Sequence, residues 1–267
     1  MDSRADIGVF GGSGFYRFFR DAEEMKVDTP YGAPSDKIAI ATVSGKRVAF
    51  LARHGRDHSH PAHAVNYRAN VYAMMQLGVH EILAPCACGS LQPNIHPGDF
   101  VIVDQFVDRT RGRKDTFFDG PVTHHIGAAD PYCPRLRRLA IERAQARGIN
   151  VHTSGTMVVI QGPRFSTRAE SHWFTQMGWH VVGMTQYPEA ILAKELGICY
   201  AGIALVTDYD VGVAGDINRP PVAIEEVLRV MSDNNDRVQG LILDMIPHLA
   251  GPRDCSCEAD AEAAVLK

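Results

Sequence analysis

Apolar and polar positions along the chain follow two periods, and the two alternate. Residues 7–10 form a short apolar run that ends in Gly11-Gly12-Ser13-Gly14, the pattern of a buried strand leaving through a glycine turn. Runs at 37–42 and 47–52 flank Ser44-Gly45, and this spacing predicts a hairpin. From 66 to 77 the period changes, with Val71, Met74, Met75 and Leu77 on neighbouring helical turns. Further β-type runs fall at 81–84, 100–106, 155–161, 181–184 and 200–207. Helical spacing returns at 134–147, 167–177, 188–196 and 222–248; the first of these opens on Pro134 and stops at Gly148-Ile149-Asn150. Strands alternating with helices predict an α/β fold: a single domain over 1–251, with a mixed central β-sheet flanked by helices on both faces. Residues 252–267 are polar, acidic and alanine-rich, and read as a C-terminal tail.

Composition narrows the picture without changing it. The 267 residues are 45% hydrophobic and 22% charged, which is ordinary for a globular chain. A net charge of −4 gives no footprint for nucleic acid. No run approaches the 18 apolar residues or so of a membrane span. Residues 1–6 carry charges of both signs rather than a signal sequence, so the expected compartment is the cytoplasm. The six cysteines include Cys86-Ala87-Cys88 and Cys255-Ser256-Cys257, but neither pair has a C-x2-C companion at zinc-ribbon spacing, and no metal site is expected. His54, His58, His60 and His63 are interrupted by glycine and proline and read as loop residues rather than metal ligands.

Several segments can carry chemistry. Gly11-Gly12-Ser13-Gly14 can present backbone N–H groups and a hydroxyl to an anion, or can be a tight strand exit alone. Arg53, at the end of a strand, can grip a phosphate with both arms of its guanidinium. Pro85-Cys86-Ala87-Cys88-Gly89-Ser90 offers either a bed for a flat ring or a packed turn. Phe165, on the Gly162-Pro163 turn, can stack on a base or sugar, or belong to the core. The sharpest feature is Thr207-Asp208-Tyr209-Asp210. Two carboxylates two residues apart end an apolar strand, and their repulsion raises one pKa. A protonated aspartic acid donates to a ring nitrogen and an ionised one accepts from an amino group, a pattern that adenine matches at N7 and N6. An Asx-turn pair or a helix cap is the other reading.

In order and spacing these segments resemble the 5'-methylthioadenosine phosphorylases, within the larger trimeric purine nucleoside phosphorylase family. The similarity runs from Ile7 to about His248 and includes Thr29-Pro30-Tyr31-Gly32, Arg53-His54-Gly55, Val65-Asn66-Tyr67-Arg68, Gln161-Gly162-Pro163-Arg164-Phe165, Met184-Thr185, Pro188-Glu189 and the Asp208/Asp210 segment. The resemblance implies a nucleoside phosphorylase-like domain that cleaves 5'-methylthioadenosine with phosphate, releasing adenine and 5-methylthioribose 1-phosphate. It implies that Ser13, Arg53, His54, Cys86, Ala87 and Thr185 hold the phosphate. Met184 and Phe165 would hold the ribose, while Ala87, Cys88 and Gly89 would line the base. Asp208 and Asp210 would be the catalytic pair at the adenine edge. Ile224, Val227 and Leu228 would seat the 5' substituent, with His125 lent by a neighbouring subunit of a homotrimer or dimer of trimers. Inorganic phosphate is a co-substrate, and no cofactor or metal is implied.

Departures bear on the sugar end. Pro85-Cys86 stands where the family often has threonines, Gly183 where it often has asparagine, and Gln186-Tyr187 where it has small or apolar residues. A phosphorylase acting on adenosine, a 5'-halogenated adenosine or a 6-oxopurine nucleoside such as 5'-methylthioinosine is therefore the alternative. A hydrolase or a non-catalytic nucleotide-binding module are readings from other classes. Some thermophilic relatives carry a similar C-x-C tail with internal disulfides, which makes a reducible disulfide between Cys255 and Cys257, or from either to Cys133 or Cys199, an expectation to set beside free thiols.

Overall fold

The computed structural model describes residues 4–11, 22–211, 213, 218 and 220–266. Gly12, Ser13 and Gly14, read above as an anion loop, lie outside these residues.

The first half of the chain builds one wing of a mixed sheet. Strand β1 (Ile7–Gly11) pairs in parallel with β4 (Lys46–Ala52). β4 folds back antiparallel on β3 (Ile38–Val43), and β3 pairs with the short β2 (Glu23–Met25), which the polar pattern had not revealed. The β3–β4 turn is the Ser44-Gly45 pair, with φ values of 51° and 76°, as a tight two-residue hairpin requires. Helix α1 (Tyr67–Gln76) starts where Asn66 caps it through the Ala69 N–H.

Strand β5 (Glu81–Ser90) is the axis of the molecule and extends six residues beyond the 81–84 run. Along one edge it pairs with β11 (Cys199–Tyr209) over almost its whole length. Its other edge changes partner: β1 covers Glu81 to Leu83, and β10 (Val181–Gly183) covers Gly89 and Ser90. Between them, among the described residues, 84–88 have no β-ladder on that edge, and the sheet parts there.

The apolar run at 100–106 divides into β6 (Phe100–Ile102) and β7 (Gln105–Arg109). β6 lies between β11 and β8 (Val151–His152), whereas β7 pairs with β9 (Thr156–Ile160) at the far edge. Asp104 marks the break, its carboxylate accepting from the Gly155 N–H. Hydrophobicity alone cannot show that neighbouring halves of one run serve different partners.

Alternation along the central strands sends side chains into two apolar layers. On one face Phe10, Leu51, Ile82 and Ala204 meet α1 and α4 (Gln186–Glu195). On the other, Val9, Phe50, Leu83 and Ile203 meet α2 (Pro134–Ala146) and α5 (Ile224–Met245). The sheet is thus mixed and covered on both faces, as expected. Within α4, Tyr187 has non-helical backbone angles, so the regular helix starts at Pro188, where the sequence placed it. Helix α3 (Arg168–Gln176) opens on a capping box between Thr167 and Glu170.

Residues 252–266 do not form a loose tail. They include α6 (Cys257–Ala263), whose Cys257 and Ala261 are buried. Among the described residues no helix is long and apolar enough to cross a membrane.

One packing constraint is testable. A Cβ added at Gly202, in the middle of β11, would lie 2.3 Å from Gln186 Oε1 and 2.5 Å from Val103 Cγ2. Both neighbours are fully buried, so neither has room to retreat. We expect Gly202→Ala to lower unfolding free energy by about 1–3 kcal/mol in a denaturant titration; an unchanged midpoint would show that Gln186 repacks without cost.

Candidate active site

A cavity of about 420 Å³ opens where β5 changes partner. That volume suits a nucleoside-sized ligand. Its floor is the β5 stretch Pro85, Cys86, Ala87, Cys88 and Gly89, which the structure makes continuous strand rather than a turn. The absence of bulky side chains leaves a flat bed beside the exposed backbone edge. A second cleft of about 430 Å³, lined by Arg109, Arg164, Glu170 and Trp173 among others, lies outside the carboxylate pair, and Arg164 there is already paired with Glu170.

The two carboxylates reach the cavity through a bulge. The β5–β11 register runs evenly to Val206 opposite Cys88, then shifts so that Asp208 faces Gly89. The extra residue, Thr207, places its hydroxyl 2.8 Å from Asp208 Oδ2 and 3.2 Å from the Cys88 carbonyl. A Cβ on Gly89 would sit 3.0 Å from Asp208 Oδ1 and 3.6 Å from Asp210 Cβ, so both aspartates crowd against this glycine. Burial pushes the Asp208 carboxyl up to about 6 against the pull of Thr207, and the Asp210 charge adds to it. Asp210 is likewise raised by burial, offset by the Ser171 and Ser166 hydroxyls. The rise expected from repulsion between the pair is present, but desolvation is its larger cause and the Asp210 charge the smaller. Asp210 Oδ2 is buried with no hydrogen-bond partner among the described residues, so this oxygen of the carboxylate is available as an acceptor.

At the opposite end stand Arg53, His54 and Thr185. Arg53 is only 2% exposed, and its fork is already engaged. Nε and Nη2 donate to the two Glu189 carboxylate oxygens at 2.6 and 2.7 Å, Nη1 donates to the Pro85 carbonyl, and Nη2 also to that of Phe10. Four of the five guanidinium N–H groups are thus spoken for. The bidentate grip on phosphate expected from the sequence meets a guanidinium that is largely engaged: counting contacts among the described residues, one N–H is left, on Nη1. His54 is held down to about 4 by burial and by the Arg53 charge, so its ring is neutral near pH 7. Its Nδ1 donates to the His60 carbonyl at 2.8 Å, which leaves Nε2 as an acceptor. Burial raises the Cys86 thiol to about 11, so this residue stays protonated near neutrality.

Apolar residues complete the enclosure. Phe165 is 39% exposed and lines the cavity, which excludes the core reading of this ring. Gly162, at φ 64°, turns the chain beneath it, and a Cβ there would strike Met184 Sδ at 2.6 Å. Ile224, Val227 and Leu228, from the first two turns of α5, form the rim. Ile224 and Leu228 are 51% and 57% exposed, so this rim is apolar and uncovered within one chain. His125 is exposed and stands outside its own chain's cavity, its N–H bound to the Ala264 carbonyl. Every other candidate named from the sequence, apart from Ser13, lines the one cavity.

Three contributors escaped the sequence reading as site residues. Glu189 appears there only as part of a motif, although it neutralises Arg53 and accepts from the Tyr200 hydroxyl at 2.6 Å. Ser166 borders the Asp210 side of the cavity. Arg113 donates to the carbonyls of Met184 at 2.8 Å, Tyr187 at 2.6 Å and Gln161 at 2.9 Å, tying together the two loops that carry Met184 and Phe165. Nothing local marks Arg113, because its acceptors are backbone groups far away in the chain.

Paired carboxylates facing an anion-ready pole across a flat apolar bed, on a mixed α/β sheet, define the class. The family model described as the phosphorylase superfamily matches residues 6–247, and the chain belongs to that superfamily. A purine nucleoside phosphorylase of Streptomyces coelicolor is 50% identical over 266 residues, covering 96% of this chain and 94% of its own. An S-methyl-5'-thioadenosine phosphorylase of Thermofilum pendens is 46% identical over 265 residues, covering 98% and 99%. Among solved structures, a methylthioadenosine phosphorylase from Schistosoma mansoni in complex with adenine matches with a TM-score of 0.90 at 36% identity, over 98% of each chain.

The raised Asp208 has a signed consequence for stability. Its folded value near 6 lies above the ordinary 3.8, so its burial penalty is absent at low pH and grows as pH rises through that window. The penalty amounts to at most about 3 kcal/mol at neutral pH. Asp208→Asn removes the titration. The variant should gain melting temperature over the parent at pH 8 and lose that gain at pH 4; the same difference at both would show that Asp208 does not titrate in this window.

Proposed function

We propose that this protein is a nucleoside phosphorylase that cleaves 5'-methylthioadenosine, giving adenine and 5-methylthioribose 1-phosphate. The observation that carries this reading is the Asp208/Asp210 pair at one end of the cavity, with an Asp210 oxygen that has no partner among the described residues and an Asp208 whose carboxyl sits near 6. A protonated Asp208 donates to N7 of a departing purine, and an ionised Asp210 accepts from the 6-amino group. As the C1'–N9 bond lengthens, the sugar gains positive charge and the purine negative charge, in analogy with other glycosidic cleavages. Protonation at N7 stabilises the leaving group. Phosphate at the other pole attacks C1', and its charge stabilises the cationic sugar.

With one Arg53 N–H uncommitted among the described residues, phosphate is held by several partial contributors: that N–H, the Thr185 hydroxyl, backbone N–H groups and Ser13. The neutral His54 ring contributes an acceptor at Nε2, which suits a protonated phosphate oxygen. Phosphate is a co-substrate, and this chemistry calls for no metal or organic cofactor. Phe165 and Met184 flank the ribose, and the Ile224/Val227/Leu228 rim receives an apolar 5' group. The exposure of that rim supports a trimer in which a neighbouring chain, through His125, completes the pocket.

The S. coelicolor relative, named a purine nucleoside phosphorylase, favours a second reading in which adenosine or a 6-oxopurine nucleoside is the better substrate. Base release from 5'-methylthioadenosine, adenosine and inosine, with and without phosphate, separates the two. We expect phosphate-dependent release, fastest with the methylthio substrate. Faster inosine turnover would select the second reading, and phosphate-independent release would replace both with a hydrolase. Asp208→Asn should lower kcat/KM for adenine nucleosides by roughly 10²–10⁴-fold and narrow the gap to inosine; unchanged values on both would remove Asp208 from the mechanism.

A further inference from the structure

On the other side of the molecule the fold assembles four cysteines from three parts of the chain. Cys133 precedes α2, Cys199 opens β11, and Cys255 and Cys257 come from the C-terminal segment. Their four sulfurs all lie within 4.8 Å of one another. Cys199 Sγ and Cys255 Sγ are 3.4 Å apart. A tetrahedral ion with metal–sulfur bonds of about 2.3 Å holds its sulfurs about 3.8 Å apart. Disulfides require only pairs; here each sulfur is near all three others, the arrangement of ligands around a common centre.

We propose that Cys133, Cys199, Cys255 and Cys257 form a tetrathiolate site for a soft divalent cation of the zinc class, which fastens the C-terminal segment to the core. Spacing along the chain argued against such a site because the second pair is not a local motif; two of its members arrive from residues 133 and 199. These two are rigidly placed, the Cys133 N–H donating to the Tyr200 carbonyl at 3.0 Å and the Cys199 N–H to that of His80 at 2.9 Å. Three of the four cysteines are buried and Cys255 is half-buried, so the centre is closed as structural sites are. Four thiolates around a divalent ion leave a net charge of −2. The Arg253 guanidinium, which interacts with Cys199 and Cys255, supplies an opposing charge in the surrounding shell and is itself fixed to the Gly197 carbonyl at 3.2 Å. Binding releases one proton per thiol to solvent and involves no change in oxidation state.

The consequence reaches the loop that carries His125. Beyond the cysteines, the C-terminal segment accepts from the His125 N–H at Ala264 and donates from the Leu266 N–H to Thr123, at 2.9 and 3.1 Å. His124 Nε2 donates to the Ala261 carbonyl at 2.9 Å. Securing α6 therefore also secures residues 123–125.

The test uses the full chain, reduced and stripped of metal, and titrates it with Zn²⁺ or Co²⁺ alone. We expect one equivalent per chain and, with Co²⁺, the intense visible and sulfur charge-transfer bands of a tetrahedral tetrathiolate. Four of six thiols should resist a thiol reagent until a chelator is added, and the chelator should lower the melting temperature. Cys255→Ser, a conservative change at the half-buried ligand, should abolish the tetrathiolate spectrum and the chelator effect while the protein remains folded by circular dichroism. If that variant does not fold, the spectrum and thiol count of the parent chain still decide. Six thiols reacting alike with and without metal would overturn the proposal. So would protection that yields to a reductant and not to a chelator, since it would identify disulfides.

Discussion

The cavity depends on one buried ion pair. Arg53 and Glu189 meet at 2.6 Å with almost no exposure on either side. Removing two such charges from water costs several kcal/mol each, and only near-ideal geometry with further hydrogen bonds offsets it. Here those bonds come from neighbouring strands: carbonyls of β1 and β5 each take a further guanidinium proton, and Tyr200 of β11 donates to the carboxylate. Glu189 keeps the Arg53 cation well above its ordinary pKa despite burial. The pair thus holds four elements in register at the anion pole, and limits how much of the arginine is left for a ligand.

At the other pole the controlling term is desolvation. A one-residue bulge at Thr207 brings Asp208 against Gly89, where the lack of a side chain on β5 makes room for it. The same placement deprives both carboxylates of water. The raised Asp208 and the buried Asp210 carboxylate both follow from one local event, the slip in the β5–β11 ladder, and the small side chains of β5 supply the flat apolar bed beside them. Between the poles, the parting of β1 and β10 along β5 supplies the space, and Arg113 braces the loops that close it.

The apolar rim on α5 and the C-terminal segment point outward. Ile224 and Leu228 leave large apolar surface uncovered at the mouth of the cavity. The His124–His125 stretch is bridged to the last residues of the chain rather than to its own pocket. The cysteine cluster draws two of its members from the same C-terminal segment to which the His124–His125 stretch is bridged.

Periodicity by itself determined most of the elements, because side-chain burial imposes periods of 2 and 3.6 wherever the chain is regular. The hairpin at Ser44-Gly45, the helical stretches from 66 and 167 and the start of the helix at Pro188 were legible for the same local reason. So were the Asp208/Asp210 pair and the aromatic turn at Phe165, whose chemistry is contained in a few adjacent residues. What required the tertiary structure was pairing between distant residues. Chain order did not reveal that one apolar run from 100 to 106 splits between two edges, that Glu189 occupies the fork of Arg53, or that Arg113 serves carbonyls dozens of residues away. It also did not reveal that Cys133 and Cys199 meet Cys255 and Cys257, or that desolvation outweighs repulsion at Asp208. Each of these depends on which surfaces are brought together and how much water they exclude, quantities that no local pattern carries.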